Sequence, residues 1–264
     1  MIAKHFCEEP VFLRFFDMPR FKLTLEYDGS NYAGWQRQAG LRTLQSAVEQ
    51  AIFRFCGQQS TVTAAGRTDA GVHATGQVIH IDFAKNWHAY TVCAALNAHL
   101  RQQGEDIAVL NAQSVPDGFD ARFCATRRYY LFKILNRCAP PALNAKRVWW
   151  LPKPLNAEAM HEAAQKLVGR HDFTTFRSSH CQAKSPIRTL ERLDIQRKGD
   201  EIFLYAQARS FLHHQIRSFV GSLVEVGIGR WTIRDLEAAL HAKDRARCGT
   251  VSPPSGLYLT KVDY

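Results

Sequence analysis

The sequence predicts an α+β protein: two ferredoxin-like β-α-β-β-α-β halves joined into one extended antiparallel sheet, with helices on one face. Three observations carry that prediction. Strand and helix signals run strand, helix, strand, strand, helix, strand between Phe21 and Asn111, and the order recurs between Arg128 and Val262. The 264 residues, 46% hydrophobic and 22% charged, match an ordinary globule long enough to bury a full core. The first strand signal alternates cleanly between apolar and polar residues, as a sheet covered on one side requires. The halves fall at residues 21–126 and 127–264, with residues 1–20 as an N-terminal extension. No residue identity between them is visible, so the repeat is one of pattern.

In the first half, Phe21, Leu23, Leu25 and Tyr27 alternate with Lys22, Thr24 and Glu26. Asp28-Gly29-Ser30-Asn31 reads as a turn, and Gly34-Trp35-Gln36-Arg37-Gln38 as a polar loop. Thr43 caps a helix bearing Leu44, Ala47, Val48, Ala51 and Phe55, which Gly57 ends. Strands follow at Val62 to Ala65 and Gln77 to Phe83. A helix capped by Asn86, with Val92, Leu96 and Leu100 on its apolar side, then leads to a strand from Ile107 to Asn111.

In the second half, Arg128 to Leu135 is apolar on both faces and is therefore predicted to be central. Asn156 caps a helix through Met160, Ala163, Ala164 and Leu167, ended by Gly169. A loop over residues 170–188 precedes a hairpin, Leu190 to Gln196 and Ile202 to Ala208, turned by Lys198-Gly199-Asp200. A helix with Ile216, Phe219, Val220 and Leu223 follows. A short one opened by Thr232 and Asp235 comes next, and Leu257 to Val262 is the last strand.

Composition narrows the function. The seven cysteines are scattered and form no C-x-x-C pair, which argues against a zinc ribbon or a disulfide framework and for a reducing compartment, the cytoplasm. No apolar run approaches the roughly 20 residues that cross a bilayer, and Arg14 interrupts the patch Val11-Phe12-Leu13, so neither a membrane span nor a signal peptide is expected. A net charge of +10 points to a polyanionic partner, and nucleic acid is favoured because no basic amphipathic helix stands out. Arginines 122, 127 and 128, and again 188, 192 and 197, are candidate phosphate contacts.

The stretch Gly66-Arg67-Thr68-Asp69-Ala70-Gly71-Val72-His73 sets a carboxylate between two glycines, with strand signals on both sides. It reads either as a polar hairpin turn or as a loop site carried by a sheet. An ionised Asp69 suits a nucleophile, a general base or a metal ligand, and Arg67 would pair with it across one strand face if the strand runs that far. His213-His214 lacks an E-x-x-H companion, so structural or RNA-contacting roles are favoured over a metal. Arg217 reads as a surface snorkeller or as the buried partner of an acid. Tyr129 and Tyr130 read as core or as a base-stacking platform, and Phe173, Phe176 and Arg177 as loop packing or a base-contacting segment.

Taken together, these motifs resemble the TruA-type tRNA pseudouridine synthases. The resemblance rests on Gly66 to Ala74 with Gly76-Gln77-Val78, and on Glu26-Tyr27-Asp28-Gly29 with Gly34-Trp35-Gln36-Arg37-Gln38. It continues in order through Phe119-Asp120-Ala121-Arg122-Phe123, Arg128-x-Tyr130, Asp172 to Arg177, Phe211 to Arg217, Val220 to Leu223 and Gly256 to Leu259. It covers the chain from about Phe21 onward and has no counterpart for residues 1–20.

The resemblance implies the pseudouridine synthase fold and isomerisation of uridine to pseudouridine at positions 38 to 40 in the anticodon stem-loop of tRNA. Asp69 matches the catalytic aspartate, Arg67 and Arg217 the basic residues flanking it, and Tyr130 the tyrosine packing on the target base. Arg177, His213 and His73 are expected to join Tyr130 in contacting substrate. A homodimer binding tRNA across both subunits, with no metal or organic cofactor, is implied as well. Two other readings remain open: a synthase acting on another structured RNA, and an RNA-binding module with a degenerate site. A glycosidase or nucleoside hydrolase would want a second carboxylate or a metal.

Overall fold

The computed structural model describes residues 18–264, so the expected N-terminal extension lies almost wholly outside the described residues. The first half comprises β1 (Arg20–Tyr27), α1 (Leu44–Cys56), β2 (Thr63–Ala64), β3 (His73–Asp82), α2 (Ala89–Gln102) and β4 (Ile107–Val115). The second comprises β5 (Arg127–Leu135), β6 (Trp149–Trp150), α3 (Ala157–Gln165), β7 (Gly169–Asp172), β8 (Ile187–Lys198), β9 (Glu201–Ala208), α4 (Gln215–Gly227), α5 (Ile233–Ala242) and β10 (Leu257–Asp263).

All the strands enter one sheet of order β4-β1-β3-β10-β5-β9-β8-β7, with β2 beside β3 and β6 beside β5. Counting the four main strands of each half, both halves have the order fourth, first, third, second. The sheet is mixed rather than antiparallel throughout. The halves meet where β10 runs parallel to β3, pairing Tyr258 with His73 and Leu259 with Ala74. The short β6 is also parallel to β5.

The junction has a local cause. β2 is only two residues long and pairs with the far end of β3, at His80 and Ile79, leaving the start of that edge of β3 for β10. Gly76 permits the approach, since a Cβ there would lie 2.2 Å from the Thr260 carbonyl oxygen. The same non-local pairing starts β3 at His73, four residues ahead of the predicted Gln77.

Alternation decides the layers. Phe21, Leu23, Leu25 and Tyr27 are buried, as their period predicts, and pack with α1 and α2 in one core. A second core gathers β8 and β9 with α3, α4 and α5. Leu257 and Leu259 share a face of β10 and enter the second and first core respectively, so both helical layers cover one side of the sheet. α1 has its predicted cap at Thr43, which the structure extends to a capping box in which Thr43 and Ser46 exchange hydrogen bonds, and Gly57 ends it in the left-handed region. The cap predicted for α2 at Asn86 is not used. Trp87 packs on Phe55 at 4.8 Å, and the helix begins after His88 with no side-chain cap.

Candidate active site

The predicted octet is a loop held from several sides. The Trp35 main-chain N–H donates to Thr68 O (2.9 Å), and the Gln77 side chain donates to Gly66 O (2.7 Å). Tyr27 Oη and Thr68 Oγ1 are hydrogen-bonded at 2.9 Å. Because β2 stops at Ala64, Arg67 and Asp69 do not share a strand face. Arg67 is exposed and makes no side-chain hydrogen bond or ion pair among the described residues. The expected Arg67–Asp69 pair is therefore not formed.

Asp69 is held instead by the start of α4. Its side chain is 22% exposed; Oδ1 lies 3.3 Å from His213 Nε2, and Oδ2 lies 3.4 Å from His214 Nε2 and accepts from Arg217 Nη1 at 3.3 Å. Both histidines precede the helix, so the rule that helical neighbours diverge does not apply. His214 takes a left-handed backbone, φ +62°, at the helix N-cap, and the two rings stand 4.1 Å apart. Burial pushes the Asp69 carboxyl up. The His213 hydrogen bond and the charges of His214, His213 and Arg217 outweigh it and hold Asp69 below the usual carboxylate value.

Packing fixes these donors. Arg217 Nε donates to Ser252 O (2.8 Å), and Ser252 N–H donates back to Arg217 O (3.1 Å). Phe173, Phe176 and Phe219 pack edge to face at 5.1 to 6.5 Å, pairs worth about 0.5–1.5 kcal/mol each beyond burial. That cluster seats the turn before Arg177, and Ser178 N–H then donates to His213 O (2.9 Å). Arg177 is partly buried and stands beside the His213 segment. Asp69, His213 and His214 bring potential metal-ligand atoms within 4.8 Å of one another. Arg217 sits on the same carboxylate oxygen, a fixed positive charge that opposes a dication there.

Tyr130, on central strand β5, packs against both cores and meets Phe211 edge to face at 5.2 Å. Burial pushes its hydroxyl up to about 12, opposed by Arg128 and reinforced by the charge of Asp69, which places it within reach of that carboxylate's field. Tyr129 points to the opposite face and donates to Asp263 Oδ2 (2.7 Å). The pleat thus sends the two tyrosines to opposite faces of the sheet.

Two expectations change. Arg128 is not a phosphate contact. It is buried, and its guanidinium donates to Ala65 O (3.0 and 2.6 Å), to Arg122 O (2.7 Å) and to Arg209 O, tying the root of the Asp69 loop to the second half. A basic cluster in sequence cannot tell which arginine turns inward.

His73 lies apart from the Asp69 cluster, on the helix-free face. It is 2% exposed, its Nδ1 accepts from Gly29 N–H (3.1 Å), and its Nε2 faces the Lys146 and Ser255 carbonyls (3.0 and 3.2 Å). It stacks on Tyr258 and lines a cavity of about 550 Å³ with Asp28, Lys133 and Arg147. Burial draws its pKa below 6.5 against the charge of Asp28. Its folded-state pKa is depressed, so the stability it contributes is complete above pH 6.5 and is lost as pH falls below that value. His73→Ala is expected to cost about 1–3 kcal/mol in denaturant unfolding at pH 7.5 and to flatten the acid fall in stability.

Comparison with known proteins decides the family. The pattern described as tRNA pseudouridine synthase matches residues 24–124 and 163–264. The chain belongs to the tRNA pseudouridine synthase family. Among its relatives, the tRNA pseudouridine synthase A of Bartonella henselae is 81% identical over 247 residues, covering 94% of this chain and all of that protein. The enzyme of the same name from Bartonella quintana matches equally, and that of Brucella ovis is 60% identical over 94% of this chain and 98% of its own length. Family membership makes the chain an isomerase. Of the residues gathered on Asp69, His214 stands beside His213 in the sequence but is not among the expected substrate contacts. The available signal was its place immediately before an apolar helix, where the backbone can turn.

Proposed function

We propose that this protein isomerises uridine to pseudouridine at positions 38 to 40 in the anticodon stem-loop of tRNA, with Asp69 as the catalytic carboxylate. The observation that carries the reading is an ionised, half-buried Asp69, gripped by Arg217 and the histidines, whose charge is felt at the Tyr130 hydroxyl. The reaction breaks the bond from C1′ to N1, turns the uracil within the site and bonds C1′ to C5. Asp69 can attack C1′, add to C6 or take a sugar proton, and each route needs it ionised. Recycling the same base requires no cofactor.

Tyr130 stacks on the extruded uracil, and exposed Arg67 is free to contact RNA. Arg177 and His213 line the same side, whereas His73 holds the loop and the 146–148 segment in place. The excess of positive charge suits tRNA bound across a homodimer in the cytoplasm, with affinity that falls steeply as salt rises.

The decisive assay uses tRNA transcripts carrying tritium at uridine C5. Tritium release is expected when uridine occupies positions 38 to 40 and is expected to vanish when all three are replaced by cytidine. Release that survives the replacement points to another site or another structured RNA. No release from any transcript favours a binding module. If Tyr130 acts by stacking, Tyr130→Phe keeps a rate within about tenfold of wild type, because its hydroxyl has no hydrogen-bond partner among the described residues. Tyr130→Ala, which loses about 1–3 kcal/mol of stacking, is expected to be far slower. Equal losses in both variants would make the hydroxyl, not the ring, the working part.

A further inference from the structure

Of the three groups gathered on Asp69, His214 is the one that its grip does not explain. His213 supplies a hydrogen bond and Arg217 a fixed charge with a hydrogen bond of its own, whereas His214 only brings Nε2 to 3.4 Å from Oδ2. Yet the chain gives His214 a left-handed backbone, shared among the described non-glycine residues only with Lys243. Side chains keep that conformation only where the surroundings impose it, and such positions cluster where chemistry occurs. The ring is also kept neutral. Burial draws its pKa below 6.5, helped by the charges of His213 and Arg217 beside it and Arg245 from the turn at 245–247, against Asp69 on the facing loop. A neutral imidazole 3.4 Å from the reacting carboxylate is a base that the bond-breaking step leaves idle.

The isomerisation has a second proton to move. When uracil has been released at N1 and rejoined through C5, that carbon holds both C1′ and its original hydrogen. We propose that the His214 imidazole is the base that removes this hydrogen, an inference that rests on the isomerisation reading above. The C5–H bond breaks and its proton passes to the imidazole. Its electron pair forms C5=C6, the C6=N1 pair moves onto N1, and N1 takes a proton from water. The imidazolium then returns its proton to water, so nothing is oxidised and no co-reactant is needed. Asp69 is the poorer acceptor at this stage, because the groups around it hold it ionised.

The test compares tRNA carrying protium or deuterium at uridine C5 in single-turnover formation of pseudouridine. His214→Asn is the main variant, because asparagine accepts the left-handed backbone but supplies no base. Its rate is expected to fall by about 10² to 10⁴-fold with tRNA affinity kept, and a C5 isotope effect larger than that of wild type is expected to emerge. In His214→Gly, added imidazole is expected to restore part of the rate. A His214→Asn rate equal to wild type overturns the assignment. So does a slow variant with an unchanged isotope effect, or a Gly variant that imidazole does not help. Wild type that forms no pseudouridine would overturn the parent reading too. An active wild type with an inactive Asp69→Asn leaves that reading standing, whatever His214 does.

Discussion

Asp69→Asn is expected to lower single-turnover pseudouridine formation by about 10⁴-fold or more, the scale on which removal of a central catalytic group is felt. Asparagine nearly matches aspartate in shape, so the loop, the two histidines and Arg217 keep their places and tRNA binding is retained. What disappears is the ionised oxygen. The same electrostatics fix a pH expectation for wild type. Asp69 titrates below its ordinary value of 3.8, so no acid limb from Asp69 should appear between pH 5 and pH 8. An Asn variant that stays active would remove Asp69 from the mechanism. A lost activity accompanied by lost binding would instead show the loop to be rebuilt.

Gly221→Ala is expected to cost about 3 kcal/mol or more in denaturant unfolding and to slow catalysis at a distance. A Cβ at Gly221 would lie 1.4 Å from the Thr250 carbonyl oxygen and 2.7 Å from its carbon, so α4 and the 249–252 segment must separate. That segment carries the Ser252 carbonyl which orients Arg217, and Arg217 in turn holds Asp69. The loss should therefore exceed what misfolding alone removes. At a temperature where the variant is fully folded by circular dichroism, its rate should still lie below wild type. An unchanged unfolding midpoint would contradict the close helix–strap contact.

Local chemistry made much of this fold legible. The period-two run at Phe21 to Tyr27, the caps at Thr43 and Thr232, and the hairpin at Lys198-Gly199-Asp200 depend on neighbours in sequence, and each element formed where its residues specify. The doubly apolar Arg128 to Leu135 run lies between β10 and β9, inside the sheet as its pattern requires. What escaped depends on distant partners. The parallel junction at His73 and Ala74, the two-residue β6 and the four-residue β7 carry no period of their own.

The site divides in the same way. Asp69 stood out because glycines and strand signals frame it, and Arg217 because it lies at the polar edge of an otherwise apolar helix. That Arg217 reaches Asp69 while Arg67 does not follows from where β2 ends and how α4 begins, neither of which composition reveals. Nor does a pair of adjacent histidines announce that a left-handed turn aims both rings at one carboxylate.

The brevity of β2 has a consequence for biosynthesis. The edge of β3 it leaves open is filled by β10, which follows every other strand in the chain. A nascent polypeptide therefore leaves the ribosome with the Asp69 loop already made, but with the neighbouring sheet edge still bare until residues 257–263 emerge. The two halves cannot be finished one after the other, as separate modules would be. The sheet beside the Asp69 loop is completed only by that late pairing of Tyr258 and Leu259 with His73 and Ala74.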